Sequence, residues 1–242
     1  MPALFEPTLA NPKNAHRHIR TARGIRRAFG VLNIVAALSI LVSITTQIVD
    51  KTVNGVFRPE EYYSYFTIQS SHMNVVVLLI GGIIALTRGV DPRWYTVVRA
   101  SIVTYAVVTG VVYNLLLRDV PSSDGFVSQF TFPNEVMHVI IPAFIAIEWL
   151  LMPGRSRLSW NVLAITCAYP LVWAGATMIR GSLDGWYPYP FLEPFGPAGW
   201  GGVVAYIAGI AGFIIALGAI AVAIERAHSA LFTRIGLDRA AL

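Results

Sequence analysis

Six stretches of this sequence are each about as long as a membrane-spanning helix and almost free of Asp, Glu, Lys and Arg. About 20 apolar residues in a helix cross a hydrocarbon layer of roughly 30 Å. A helix also satisfies its own backbone polar groups in lipid. The sequence therefore predicts an all-α fold, a bundle of six transmembrane helices. The stretches are Ala28–Val49, Ser64–Thr87, Ala100–Leu117, Val136–Met152, Leu158–Ile179 and Gly201–Ile224.

Composition supports a membrane protein rather than a soluble one. Of the 242 residues, 55% are hydrophobic and 13% are charged, against roughly 25% charged in a typical soluble domain. The first stretch is predicted to be a retained helix, because its polar lead-in is long and no small-residue cleavage site follows. We divide the chain into a cytoplasmic arm (1–27, expected to be partly disordered), a transmembrane domain (28–226) and a cytoplasmic tail (227–242).

The distribution of basic residues predicts the orientation of the bundle. Fourteen of the 18 Lys and Arg residues lie in the N-terminal arm, the second-to-third and fourth-to-fifth connections, and the tail. The positive-inside rule places both termini in the cytoplasm. It also accounts for the net charge of +5 without a nucleic-acid partner. We expect a multi-pass plasma-membrane or inner-membrane protein. The third outer loop, Arg180–Trp200, has four prolines that favour an ordered path and aromatic residues that suit a membrane interface.

Polar residues within the apolar stretches are expected to gather in the outer half of the bundle and leave the inner half nearly bare. On the fourth helix, Asn134 and His138 share a face because they are four residues apart. On the second, one face is expected to hold Thr67, Ser70, Ser71 and Asn74. The pattern predicts a polar cavity open to the outer side, with hydroxyls and an imidazole at matching depth. Glu148 lies about 15 Å deeper than His138 and is expected to pair with a neighbouring helix, for example through Trp160 or a backbone group.

Structural roles for these residues remain open. A Thr near a helix start is usually an N-cap or bonds back to the helix backbone. A membrane His is often a structural hydrogen-bond partner, and Asn134 is by default the cap of the fourth helix. Cys167 is alone, so it forms no intrachain disulfide and no zinc pattern, and we expect it to be a small buried hydrophobe.

Three segments are similar to a known family. They are YFTIQSSHMN (Tyr65–Asn74), NEVMHVIIPAFIAIEWLL (Asn134–Leu151) and YPYPFLEPFGP (Tyr187–Pro197). Their order and residues resemble the transmembrane threonine hydrolases named after the androgen-induced gene and the androgen-dependent TFPI-regulating protein, a family with related bacterial members. The animal members cleave fatty acid esters of hydroxy fatty acids. The resemblance implies that this chain hydrolyses a lipid ester in the membrane and releases a fatty acid, with no metal or organic cofactor.

The resemblance also implies roles for particular residues. Thr67 falls on the family's nucleophile and His138 on its catalytic histidine, which would act as the general base at the extracytoplasmic side. From their positions rather than from the resemblance, we expect Asn134 to assist or orient His138. We expect Arg180, beside the Tyr-Pro loop, to pair with a fatty acid carboxylate unless it only anchors its helix at the interface. The expected pocket also contains Ser70, Ser71, Asn74 and Tyr189. The additional polar residues of the second helix and the doubled Tyr-Pro element leave the substrate open.

Three alternatives compete with this hypothesis. In the first, zinc bound by His72, Glu135 and His138 serves a metal-dependent lipid hydrolase. In the second, His72 and His138 ligate haem. In the third, the chain is a lipid-binding or transport protein without chemistry, which would tolerate the loss of Thr67. The sequence does not define the natural ester or the oligomeric state.

Overall fold

The computed structural model is all-helical and describes residues 12–120 and 125–234. Within these residues, six helices are long and apolar enough to cross a membrane. This confirms the predicted fold class and indicates a multi-pass integral membrane protein. The orientation of the bundle in the membrane stays a prediction. The helices are α1 (Pro12–Val53), α2 (Phe66–Thr87), α3 (Arg93–Leu117), α4 (Phe132–Leu151), α5 (Val162–Asp184) and α6 (Gly199–Arg234).

Several helices extend beyond the apolar stretches that predicted them. The first begins at Pro12 and α3 begins at Arg93, each well before its charge-free run. A helix continues into polar sequence until a breaker stops it, because charge alone does not oppose helical backbone geometry. The stop for α5 is Gly185, whose φ of 75° is left-handed. Residues 1–11 of the predicted arm and 235–242 of the predicted tail lie outside the described residues.

The helices surround α3, which contacts α2, α4, α5 and α6, while α1 packs against α2 and α4. We call the end of the bundle formed by the described connections 54–65, 118–120 with 125–131, and 185–198 the outer end, following the predicted orientation. The opposite end, with the connections 88–92 and 152–161, is the inner end.

Buried charged groups join the helices in the inner half, so the expectation of a nearly bare inner half is wrong. Arg99 on α3 forms an ion pair with Glu148 on α4, and both side chains are almost fully buried. The amide of Asn33 on α1 donates to the same carboxylate at 3.4 Å. Glu148 therefore pairs with Arg99 rather than through Trp160. The sequence analysis missed this pair because Arg99 lies just before the third charge-free stretch and was counted in the second-to-third connection. In the structure, α3 begins at Arg93, nearly two turns before Arg99.

The inner connections are held by further charged contacts. Arg26 on α1 donates to Asp91 at 2.6 Å and to the carbonyl of Pro153 at 2.7 Å, which joins both inner connections to α1. The backbone N–H of Leu158 donates to Glu225 on α6 at 2.6 Å. Arg155 lies over the ring of Trp149 at 4.3 Å, and burial lowers the pKa of Arg155 to about 10. The inner end is thus cross-linked by ion pairs and hydrogen bonds.

Candidate functional site

An apolar cavity of about 150 Å³ lies between the outer halves of α3, α5 and α6, under the start of α2 and the 185–198 connection. In the inner half, α5 and α6 are close together at Gly218, where an added Cβ would lie 3.1 Å from Leu163. Toward the outer end the cavity separates them. Leu171 and Ile215 line it while 61% and 49% exposed, so the cavity reaches the lipid-facing surface between α5 and α6. An apolar cavity of this size is known to accept benzene.

Thr67 lines this cavity and lies beside the hydroxyl of Tyr189. Its backbone N–H donates to the Tyr189 Oη at 3.4 Å. Thr67 is the second residue of α2, and Tyr65 occupies the N-cap position, so Thr67 does not have the first of its two expected structural roles, that of an N-cap. Burial raises the pKa of Tyr189 to about 12, while hydrogen bonds from the Thr67 hydroxyl and amide oppose that rise. Tyr189 therefore stays protonated at neutral pH.

The connection that carries Tyr189 folds back over the cavity. Tyr187 packs on Gly181 of α5, where any Cβ would overlap its ring. Tyr189 contacts the rings of Trp173 and Phe191 at 6.0 and 5.2 Å between centroids. Tyr187 and Tyr189 are 9% and 8% exposed. The expectation that the Tyr residues of this loop serve the membrane interface is therefore wrong, because they pack inside the protein.

His138 lies in a π-helical turn of α4, Val136–Ile140, where the N–H of Ile141 donates to the carbonyl of Val136. Pro142 has no N–H, so the carbonyl of His138 lacks the usual donor four residues later. The side chain of Asn114 on α3 supplies one at 3.3 Å. Single π-helical turns inside α-helices occur frequently at functional sites.

A second π-helical turn, Tyr113–Leu117 of α3, faces the first. The rings of Tyr113 and His138 stack with centroids 3.8 Å apart and planes 19° apart. Gly110 lets the helices approach, since an added Cβ would lie 2.9 Å from Pro142 and 3.0 Å from the carbonyl of His138. Tyr113 also lines the cavity, so it connects the environment of His138 with that of Thr67.

The imidazole of His138 is 8% exposed and has a defined orientation. Its Nδ1 lies 2.9 Å from the backbone carbonyl of Asn134. Because a carbonyl only accepts, Nδ1 carries the hydrogen and Nε2 of the neutral ring keeps its lone pair. The side chain of Asn134 instead accepts from Gln47 of α1 at 3.1 Å. Thr131 occupies the N-cap position of α4, so the default interpretation of Asn134 as the cap is wrong.

The cavity beside Thr67 is apolar, so the expectation of a polar cavity is wrong for it, because the remaining nominated residues lie outside its wall. Ser70, Ser71 and Asn74 are buried against other parts of the bundle. The guanidinium of Arg180 donates to the Ser64 hydroxyl at 2.5 Å and to Asp184 at 2.9 Å, which connects the outer end of α5 to the start of α2. Within the described residues, no hydrogen bond joins the side chains of Thr67 and His138.

Sequence reasoning missed or misjudged three cavity residues. Cys167 lines the cavity and is only partly buried, so its assignment as a buried hydrophobe is wrong. Tyr113 lies in the third charge-free stretch, but its stacking on His138 depends on helix order, which the sequence does not give. Thr109 lies one turn before Tyr113 in an apolar run and gave no signal of its own.

The proposed metal ligands are not assembled in the described part of the chain, where no group of three or more His, Cys, Asp and Glu side chains could hold a metal ion. His72 is exposed, and its Nδ1 lies 2.8 Å from the carbonyl of Ile68.

Comparisons with known protein families, curated proteins and solved structures found no match for this chain. The family resemblance therefore rests on the three segments quoted above.

Proposed function

We propose that this chain is a membrane-embedded hydrolase of lipid esters, with Thr67 as nucleophile and His138 as general base. One observation carries the proposal: Thr67 lines an apolar cavity that reaches the lipid-facing surface, and Tyr113 of the same cavity stacks on the buried His138. Ester cleavage in a membrane requires a nucleophilic hydroxyl, a histidine with an available nitrogen, and an apolar space that is open to lipid, so that the rest of a long acyl chain stays in the bilayer.

The acyl chain of the substrate enters between α5 and α6, past Leu171 and Ile215. Apolar walls favour a hydrocarbon chain, because the chain exchanges lipid contacts for protein contacts without desolvating polar groups. The ester group, at the end of this chain, is then held at the outer end of the cavity beside Thr67. Water for the second half of the reaction reaches the ester from the outer face.

In the first half of the reaction, the Thr67 hydroxyl attacks the ester carbonyl carbon. Its proton passes to Nε2 of His138, directly or through one water, since apo enzymes often have looser catalytic contacts than their complexes. The oxyanion is stabilised by N–H groups in the first turn of α2, and the N–H of Thr67 exchanges its 3.4 Å bond to the Tyr189 oxygen for one to the oxyanion. Tyr189, protonated at neutral pH, is a further donor beside Thr67. The C–O bond breaks, and His138 returns the proton to the departing alcohol.

In the second half, His138 takes a proton from water, and the resulting hydroxide attacks the acyl-Thr67 ester. The C–O bond to Thr67 breaks, Thr67 regains its proton from His138, and the fatty acid leaves. The balance is one ester and one water consumed, one alcohol and one fatty acid formed. Every proton transfer uses His138, so no metal or redox partner enters any step.

The proposal is tested with protein purified in detergent and an ester between a long-chain fatty acid and a hydroxylated fatty acid. Thr67→Ala is expected to lower kcat by roughly 10³-fold or more. His138→Ala is expected to lower it by roughly 10²- to 10⁴-fold. Wild-type protein quenched during turnover is expected to carry the acyl group on Thr67, measured by peptide mass spectrometry.

Two matched variants control for the substitutions themselves. Thr87→Ala changes an exposed threonine on the same helix as Thr67, and His72→Ala removes a histidine with the same bond to the carbonyl four residues earlier as His138. Both are expected to keep full activity. Turnover that survives Thr67→Ala and disappears with a chelator would replace the threonine mechanism with a metal-dependent one.

A second candidate is a lipid-binding protein without chemistry. It is favoured by the lack of a hydrogen bond between Thr67 and His138 in the described residues, together with a cavity that is open to lipid. This function predicts ester binding without turnover in wild-type protein, and no change in binding when Thr67 is replaced by Ala. The same set of variants therefore separates the two functions.

A further inference from the structure

The side chain of Thr109 lines the cavity, and its hydroxyl is buried beside the wall without a hydrogen-bond partner in the described part of the chain. The residue is 7% exposed. Threonines in helices usually donate to the carbonyl four residues earlier, and others here do so: Thr104 donates to Ala100 at 2.9 Å and Thr87 to Ile83 at 2.7 Å. An unpaired buried hydroxyl is unfavourable. Thr109 therefore holds an unsatisfied hydroxyl next to an otherwise apolar cavity.

Thr109 lies at a depth where a substrate held by Thr67 can reach it. The rings of Phe66 and Tyr105 are in contact at 6.0 Å between centroids, so the start of α2 lies level with this part of α3. Thr67 follows Phe66, and Thr109 is one helical turn beyond Tyr105 toward the outer end. Both residues line the same cavity. Its walls are otherwise apolar apart from aromatic side chains and Cys167.

We propose that Thr109 is a substrate-binding residue whose side chain rotates about χ1, so that its buried hydroxyl donates a hydrogen bond to an oxygen atom of the bound ester. This inference rests on the proposed function for its ligand, but it concerns binding and does not require turnover. The hydrogen bond fixes how far the acyl chain enters the cavity and so places the ester carbonyl against Thr67. A hydrocarbon chain of the same length that has no oxygen atom gains no binding affinity from Thr109.

The test measures binding of the radiolabelled ester to Thr67→Ala protein, in which the ester stays intact. Adding Thr109→Val, which keeps the side-chain shape, is expected to raise Kd by roughly 3- to 10-fold. Thr109→Ser is expected to preserve the affinity. Binding of a plain alkane of the same chain length is expected to be equal in both proteins. Thr104→Val, on the same helix and outside the cavity, is the matched control and is expected to leave ester binding unchanged.

The unfolding midpoint gives a second readout that a merely structural role would not produce. Thr109→Val is expected to raise the midpoint of the ligand-free protein, because it removes an unpaired buried hydroxyl. A structural hydroxyl would instead give a lower midpoint. In the active protein, Thr109→Val is expected to lower kcat/KM by the same factor by which it raises Kd.

Cys167 reports where the ester binds, because it is the single cysteine of the chain and lines the cavity. Bound ester is expected to slow its alkylation by a membrane-permeant maleimide, and less so with Thr109→Val. Equal ester affinity with and without Thr109→Val would overturn the inference and leave the hydrolase proposal intact. Weaker binding in Thr109→Val protein, with no Thr67-dependent turnover in the wild type, would uphold the inference and overturn the hydrolase.

Discussion

Removing Glu148 tests whether the buried ion pair between α3 and α4 exists as described. Glu148→Ala leaves the guanidinium of Arg99, which is 2% exposed, without its carboxylate. The neighbouring hydroxyl of Tyr95, 2.7 Å from the Arg99 Nη1, does not neutralise the charge. Breaking one side of a buried pair typically costs roughly 3–5 kcal/mol, because the remaining charge stays desolvated. We expect a loss of that size in the free energy of unfolding.

The double replacement Arg99→Met with Glu148→Leu removes both charges and keeps similar volume. Replacing a whole buried pair by apolar residues is often neutral or stabilising by roughly 1–4 kcal/mol. The double variant is therefore expected to be at least as stable as the wild type, although each single replacement is destabilising. The resulting coupling energy of several kcal/mol is far larger than that of an exposed pair, roughly 0.2–1 kcal/mol.

The assay is equilibrium unfolding in mixed micelles with increasing sodium dodecyl sulfate, followed by tryptophan fluorescence. Glu193→Ala, at an exposed acid of the outer loop, is the control and is expected to change stability by about 0.5 kcal/mol or less. A Glu148→Ala variant that loses less than about 1 kcal/mol, or a double variant no more stable than either single one, would refute the buried pairing.

Three further predictions concern the outer end. Pro142→Ala restores an N–H that can bond the His138 carbonyl, so the π-helical turn is expected to revert toward an α-helix, and ester turnover is expected to fall at least roughly tenfold at unchanged protein stability. Because burial raises the pKa of Tyr189 to about 12, the unfolded chain ionises first between about pH 10 and 12. The free energy of unfolding is then expected to fall by up to about 1.4 kcal/mol per pH unit. Tyr189→Phe should lack this part of the fall, which unfolding midpoints measured against pH will show. Gly181→Ala places a methyl group where the Tyr187 ring lies, so the 185–198 connection is expected to lift and the alkylation of Cys167 to become faster. An unchanged alkylation rate would contradict the packing of this connection over the cavity.

Hydropathy predicted the number of helices because transfer of a helix into lipid depends mainly on its own residues. It misplaced the helix ends because helical hydrogen bonding continues into polar sequence. Arg99 shows the cost of this limit. Because Arg99 lies outside the charge-free stretch, the sequence analysis assigned it to a connection. In the structure it lies within α3 and is the partner of Glu148.

The candidate site was predictable only in part, since helix order around the bundle is not encoded in hydropathy. The sequence analysis named both Thr67 and Tyr189 as site residues. Their contact beside the cavity, however, depends on how the 185–198 connection folds back. His138 stacks on Tyr113 where two π-helical turns face each other. Counting residues at the α-helical spacing of three and four does not predict such turns. Pro142, four residues after His138, was a visible signal, because it removes the donor that an α-helix would use there.

The two ends of the bundle differ in what holds the helices together, and this difference suits a lateral lipid site. At the inner end, buried ion pairs and backbone hydrogen bonds connect α1, α3, α4 and α6. At the outer end, α5 and α6 separate around an apolar cavity whose cover is an aromatic loop. Among the ion pairs of the described residues, none joins α5 to α6 there, so separating these helices to admit a chain breaks none of them, whereas separation at the inner end would expose buried charges to lipid. This difference supports the proposed entry of lipid at the outer end, beside Thr67.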